Sequence, residues 1–259
     1  MLTWLYSDTP LPTPENARPD GLLAAGSDLG VARLEQAYAQ GTFPWFNRGD
    51  PVLWWNPDPR MVLACDQLVI SRSLAKKLRQ IARLEGTEGA RIRITTDTAF
   101  EAVIHACGAV RTPGSPLATA DRPAPGTWIS PAIEQAYTDW HEAGRAHSVE
   151  TWMDGRLAGG LYGVSLGRFF FGESMFSLAP DASKLALAYL VAFLKRHGVM
   201  HIDCQQETRH LASLGAKPIR RHAFLALLDE TLHRAAPPWA PGELLQSGRL
   251  LARAAETTP

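Results

Sequence analysis

The chain has 259 residues, 46% hydrophobic and 20% charged, with 26 basic and 26 acidic side chains and zero formal net charge. This length and apolar content allow a sizeable core in one large domain, or a domain with a small companion. The charge balance excludes a global field for a polyanion or membrane surface, so any such contact needs a local basic patch.

Three cysteines, Cys65, Cys107 and Cys204, are too few and too scattered for a disulfide framework or zinc ribbon. They read as free thiols of a reducing cytosol. The N-terminus has no basic n-region and meets prolines early, unlike a secretory signal. The longest purely apolar run, 185–194, is about half of what a bilayer crossing needs. These features predict a soluble cytoplasmic protein.

Residues 1–63 are rich in Pro, Gly and Trp and carry little periodicity, as expected of a small domain or cap. One short helix is predicted at 31–40, stopped by Gly41. FPWF (43–46) and LWWNPDPR (53–60) read as aromatic loops or short strands. Over 71–84 the pattern changes to a helix with Leu74, Leu78 and Ile81 on one face. Arg72, Lys76, Arg79 and Arg83 fall on another, with Lys77 beside them. Residues 91–97 alternate like a strand, 98–107 read as a helix, 111–126 as a Pro/Gly-rich loop and 131–143 as a helix.

The clearest β signal is in the middle of the chain. Residues 147–153 and 156–166 flank Asp154-Gly155, a dipeptide favoured in type I′ hairpin turns, and a third run covers 168–176. A strongly apolar helix at 182–198 closes on basic residues and Gly198. A buried strand is expected at 199–205, helices at 208–215 and 222–234, and a Pro/Ala-flavoured tail after Ala235. Antiparallel strands followed by a helix and another strand suggest an α+β sheet domain with helices packed on it.

Gly163-Val164-Ser165-Leu166-Gly167 matches a hydrolase nucleophile elbow, with His147 or His210 as a base. That elbow needs a helix after the turn, and the aromatic run that follows reads as a strand. His105 and Cys107 could share a strand face, but no second pair at metal-ligand spacing accompanies them. No P-loop or dinucleotide fingerprint occurs. The basic residues Arg72, Lys76, Lys77, Arg79 and Arg83 suit either a solvated face or phosphate contact. Trp45, Trp54, Trp55 and Trp128 suit either a core or stacking on unpaired bases. Glu173 lies among aromatics, where a carboxylate loses solvation unless paired. Asp203 and Gln205, two apart, would share one face of their strand. Such groups serve as buried ion-pair partners or as positioned proton carriers.

The same segments carry a resemblance. DGLLAAGSDL (20–29), GTFPWF (41–46), LWWNPDPR (53–60), SRSL (71–74), GTWI (126–129), AHSVE (146–150), GGLYGVSLG (159–167), FFGESMFS (170–177), ASK (182–184), IDCQ (202–205) and HLASLGA (210–216) stand in an order that resembles the leucyl/phenylalanyl-tRNA–protein transferase family. Asn56 departs from the Ser usual there, and 111–125 is longer than typical.

The resemblance implies a small N-terminal domain (1–63), an N-acetyltransferase-like catalytic domain (64–235) with a mixed sheet and packed helices, and a C-terminal tail (236–259). It implies transfer of Leu or Phe, less well Met, from aminoacyl-tRNA to proteins with N-terminal Arg or Lys, marking them for N-end-rule degradation in bacteria. No ATP, metal or other cofactor is called for, and a monomer is expected. Asp203 would orient Gln205, and Gln205 would contact the reacting amine or carbonyl, as proton relay or as positioning group. Glu173 would anchor the aminoacyl group. An apolar pocket would be lined by Leu161, Phe170, Met175, Ser177, Leu187, Leu190 and Ile202. Trp45 and Trp128 would stack on the terminal adenosine, and the 72–83 helix would hold acceptor-stem phosphates. The competing readings are an acyl-CoA transferase, for which a pyrophosphate loop is missing, and a non-catalytic RNA-binding module.

Overall fold

The computed structural model describes residues 2–109 and 127–252. The loop expected at 111–126 thus lies outside the described residues, as does the end of the tail.

Strands β1 (Thr3–Leu5) and β2 (Leu22–Gly26), helix α1 (Val31–Ala39), and strands β3 (Phe43–Pro44) and β4 (Val52–Trp55) come first. They build a four-stranded sheet in the order β1-β2-β4-β3. The chain continues through β5 (Arg60–Ala64), α2 (Arg72–Ala82), β6 (Ile92–Thr96), α3 (Phe100–Ala109) and α4 (Pro131–Glu142). Next come β7 (Ala146–Met153), β8 (Arg156–Leu166), β9 (Phe169–Ser177), α5 (Ala182–Arg196) and β10 (His201–Asp203). The last elements are α6 (Arg209–Ser213), β11 (Lys217–Ile219), α7 (Arg221–Leu232), β12 (Gly242–Leu244) and β13 (Leu250–Ala252).

Nine of these strands form one sheet in the order β11-β5-β10-β9-β8-β7-β6-β12-β13. It is mixed, because β10 runs parallel to β9 and antiparallel to β5. The protein is therefore α+β, with a small N-terminal sheet ahead of a larger mixed sheet that carries helices on both faces.

Local chemistry explains the central hairpin and α2. Asp154 and Gly155 both have positive φ, 49° and 75°, as a two-residue turn matching strand twist requires. Ser71 caps α2 by accepting the Leu74 N–H at 3.2 Å, and Leu74, Leu78 and Ile81 are buried. Side-chain alternation along β9 feeds two cores. Phe169 and Phe171 enter one with α1, α3, α4, α7 and the small sheet; Phe170 enters the other with α2 and α5. The aromatic N-terminal segment therefore shares a core with the large sheet: Tyr38, Phe43 and Trp54 pack in the cluster that holds Tyr137, Tyr162 and Phe224.

Three sequence expectations are corrected. The strand expected over 199–205 ends at Asp203, because Gln205 adopts a left-handed φ of 55°. Pleat alternation therefore does not set the Gln205 direction. His105 and Cys107 lie on a helix, where residues two apart diverge; His105 is exposed and Cys107 buried. Residues beyond Ala235 also contribute structure, since β12 pairs with β6 and extends the large sheet.

Candidate active site

The candidate site begins with an irregularity in β9. Tyr162 pairs with Ser174 and Gly163 with Gly172, so Glu173 is the extra residue of a β-bulge. Bulges re-aim side chains and interrupt pairing. Gly163 permits this one, because a Cβ there would lie 2.2 Å from the Phe171 carbonyl oxygen and 2.6 Å from the Phe170 ring.

The re-aimed carboxylate meets donors from three distant elements. Tyr38 of α1 donates to Oε1 at 2.8 Å, Tyr137 of α4 to Oε2 at 3.3 Å, and Gln205 Nε2 to Oε1 at 3.2 Å. The two tyrosine hydroxyls are also hydrogen-bonded to each other. Glu173 keeps some surface at the cavity, yet the atoms around it are dense enough that desolvation dominates. Burial, opposed by the Tyr38 hydrogen bond, raises its pKa to about 8. Burial and the adjacent Glu173 push both tyrosines well above their ordinary value. Burial thus favours the neutral form of the Glu173 carboxyl.

Gln205 is held through its backbone. Asp203 Oδ1 accepts the Gln205 N–H at 2.9 Å, and Asp203 is fully buried against Arg60, with bonds of 2.8 and 2.6 Å. Asp203 thus meets Gln205 at its peptide N–H and not at its side-chain amide.

Beside Glu173 and Gln205 lies an apolar cavity of about 210 Å³. Leu161, Phe170, Met175, Leu187, Leu190 and Ile202 line it, with Leu63, Leu211, Leu214 and Ala216 completing the wall. Ser177 is not among the lining residues. Its Oγ donates to the Ala179 carbonyl at 2.9 Å and accepts the Ser183 N–H at 3.3 Å, tying the end of β9 to α5. A second, aromatic cavity formed by Phe43, Pro44, Trp45 and Trp128 shares Glu173, Cys204, Gln205, Thr208 and Leu211 with the first. Trp45 is 40% exposed at this mouth, whereas Trp54 is a core residue with no exposed surface.

On α2, Arg72, Lys76, Arg79 and the adjoining Arg83 are exposed. Lys77 differs from them: its Nζ donates to the Pro180 carbonyl at 3.0 Å and lies 3.7 Å from Asp181.

Ser165 sits within β8, which turns at Gly167 directly into β9, so the helix required by a nucleophile elbow is missing. His147 hydrogen-bonds Asp97 at 2.8 Å and stacks on Trp239, and His210 lines the apolar cavity. Asp97, His141 and His147 form a cluster of potential metal ligands. They are bound within the protein, His141 to the Ala146 carbonyl and Asp97 to the Ser148 N–H and His147. Among the described residues, no helix is long and apolar enough to cross a membrane.

Sequence reasoning missed Tyr38, Tyr137 and Arg60. Tyr38 and Tyr137 occupy the apolar stripes of helices and look like core. Arg60 carries the only signal of the three, a cation directly after a Pro-Asp-Pro turn.

The family model for the leucyl/phenylalanyl-tRNA protein transferase matches residues 62–229, and that for its N-terminal domain matches 27–58. A Bordetella bronchiseptica protein named leucyl/phenylalanyl-tRNA–protein transferase is 56% identical over 251 residues, covering 96% of this chain and 95% of that one. A protein of the same name from Methylibium petroleiphilum is 52% identical over 243 residues, covering 92% and 86%. A GCN5-related N-acetyltransferase from Kribbella flavida overlaps at a TM-score of 0.32 and 14% identity, covering 73% of this chain and 60% of that one. Matched over nearly its whole length at more than half identity, the chain belongs to the leucyl/phenylalanyl-tRNA–protein transferase family.

Proposed function

We propose that the protein transfers Leu or Phe, and less efficiently Met, from aminoacyl-tRNA to the α-amine of proteins that begin with Arg or Lys. One observation carries this reading: Glu173 and Gln205 stand where an apolar cavity meets an aromatic mouth. The cavity takes an apolar side chain, and Trp45 and Trp128 offer faces for the terminal adenosine. The ester linkage then falls beside the two polar side chains.

In the transfer, the acceptor amine attacks the ester carbonyl, an amide C–N bond forms, and the ester C–O bond breaks. The proton lost by the amine ends on the departing ribose oxygen. The ester is already activated, so the chemistry needs positioning and stabilisation of the tetrahedral oxyanion. Gln205 contacts the reacting amine or carbonyl, and Glu173 receives the ammonium of the aminoacyl group. The exposed cations of α2 contact tRNA phosphates. Acceptors so modified gain an N-terminal residue that marks them for N-end-rule degradation, and the protein acts as a cytoplasmic monomer. On the same reading, residues 1–63 are a small domain, 64–235 an N-acetyltransferase-like catalytic domain, and 236–259 an appendage that adds strands to it.

The test is transfer of labelled leucine from Leu-tRNA to a peptide beginning with Arg, beside a Gly-initiated control, with neither ATP nor CoA present. Labelling of the Arg peptide alone supports the proposal. An inactive, folded protein with intact Leu-tRNA overturns it.

A further inference from the structure

We propose that Arg60 is a positioning residue for the transfer, acting on Gln205 through Asp203. The proposal rests on the reading that Gln205 stands at the reaction centre.

Arg60 opens β5, and its side chain is 1% exposed. Its guanidinium fork grips both oxygens of Asp203, with Nε at 2.8 Å from Oδ1 and Nη2 at 2.6 Å from Oδ2. The same Oδ1 accepts the Gln205 N–H, so one oxygen joins the Arg60 side chain to the Gln205 backbone. The two backbones are also joined: the Met61 N–H donates to the Gln205 carbonyl at 3.1 Å and the Cys204 N–H to the Met61 carbonyl at 2.8 Å.

These bonds hold Gln205 in the left-handed region, which L side chains rarely adopt. With that φ, the Gln205 side chain leaves the strand direction and reaches Glu173 at 3.2 Å. A relaxed, extended Gln205 would point elsewhere.

The guanidinium is itself packed against two rings. Phe43 of the small sheet lies 4.8 Å from it and Phe224 of α7 4.5 Å. The turn that delivers Arg60 is clamped to α7. The Arg221 N–H donates to Asp58 Oδ1 at 3.0 Å, and Arg221 Nη2 to the Asn56 carbonyl at 2.6 Å. Asn56 Oδ1 accepts from Arg221 Nε at 3.0 Å, while its Nδ2 donates to Gln40 and Thr42.

This arrangement makes poor sense as a stabilising device. A buried ion pair returns little over an apolar packing of the same volume. In addition, Arg60 Nη1 is buried with no hydrogen-bond partner among the described residues. It makes good sense as a means of orientation, because a guanidinium fork fixes a carboxylate in plane and a lysine ammonium does not.

The test is a cycle of Arg60→Lys, Gln205→Ala and the double variant, reading kcat and KM for Leu-tRNA with thermal stability beside them. Arg60→Lys is expected to lower kcat about a hundredfold, the scale of a misplacement of about 1 Å, with KM unchanged. In the Gln205→Ala background, Arg60→Lys should cause no further loss, since its route to the reaction is already gone. Full kcat in Arg60→Lys, or losses that multiply in the double variant, overturn the positioning role. An active Gln205→Ala enzyme overturns the underlying site reading instead. Should Arg60→Lys fail to fold, Phe224→Leu loosens one flank only. It should lower kcat less, and again only while Gln205 is present; an unchanged kcat there also overturns the proposal.

Discussion

Glu150 on β7 and Glu173 on β9 are two carboxylates of one sheet, both satisfied by hydroxyl donors, yet they are built differently. Glu150 has no exposed surface, and its donors are Ser148 of its own strand and Thr95 and Thr98 on or beside the adjoining β6. Trp152 closes the group by donating to Thr95 at 2.8 Å. The donors to Glu173 come from α1, α4 and the segment after β10, and the carboxylate borders both cavities. A carboxylate sealed by its own sheet holds strands together. One assembled from distant elements at a cavity wall is available to a substrate.

Substitution separates the two roles. Glu173→Ala should lower kcat for leucine transfer by about a hundredfold, as loss of one preorganised polar group does, while the protein still folds. A full rate would erase the distinction. Glu150→Ala should act on stability, costing about 1–3 kcal/mol in urea unfolding because three hydroxyls lose their acceptor. Its kcat per folded molecule should match the parent.

The proton on Glu173 gives a finer contrast. Its pKa is raised from 4.5 to about 8, so between those values the folded chain holds a proton that the unfolded chain has released. The stability this group contributes is complete below 4.5 and is lost as pH rises through about 8. Unfolding free energy measured across that window should therefore fall less steeply with rising pH in Glu173→Gln than in the parent. An identical pH slope in the two proteins would contradict the assignment. The smallest effect lies outside both carboxylates. Changing Arg72, Lys76 and Arg79 together to Ala should weaken tRNA binding and flatten the log-affinity against log-salt slope by about two to three. Lys77→Ala should leave that slope unchanged, because its ammonium is committed to Pro180 and Asp181. A slope that ignores the triple change would remove the helix from the interface.

The central hairpin, α2 and α5 were legible because periodicity and turn chemistry agree there. The three-residue strands β10, β11, β12 and β13 are too short for alternation to register, and the strand that the pattern suggests over 199–205 exceeds β10 by two residues at each end. Glu173 stood out as a carboxylate among phenylalanines, but nothing local announced the bulge that aims it. Glu150 lies in a more polar strand and is buried as well, so burial of a carboxylate does not by itself distinguish the two. Tyr38 and Tyr137 were invisible for the opposite reason: at helical spacing a core tyrosine and a site tyrosine look alike. The link from Arg60 to Asp203 spans most of the chain and follows from topology rather than from any short motif.

That topology also governs when the protein can begin to work. Strand β5 leaves the ribosome early, yet its partners are β10 and β11. Until residues 217–219 emerge, it has no complete place in the sheet. Phe224, which closes over Arg60, arrives later still. A growing chain thus carries Tyr38 and Glu173 before Gln205 is seated beside Glu173. Activity should therefore appear only once the chain is complete through α7, where Phe224 packs over Arg60.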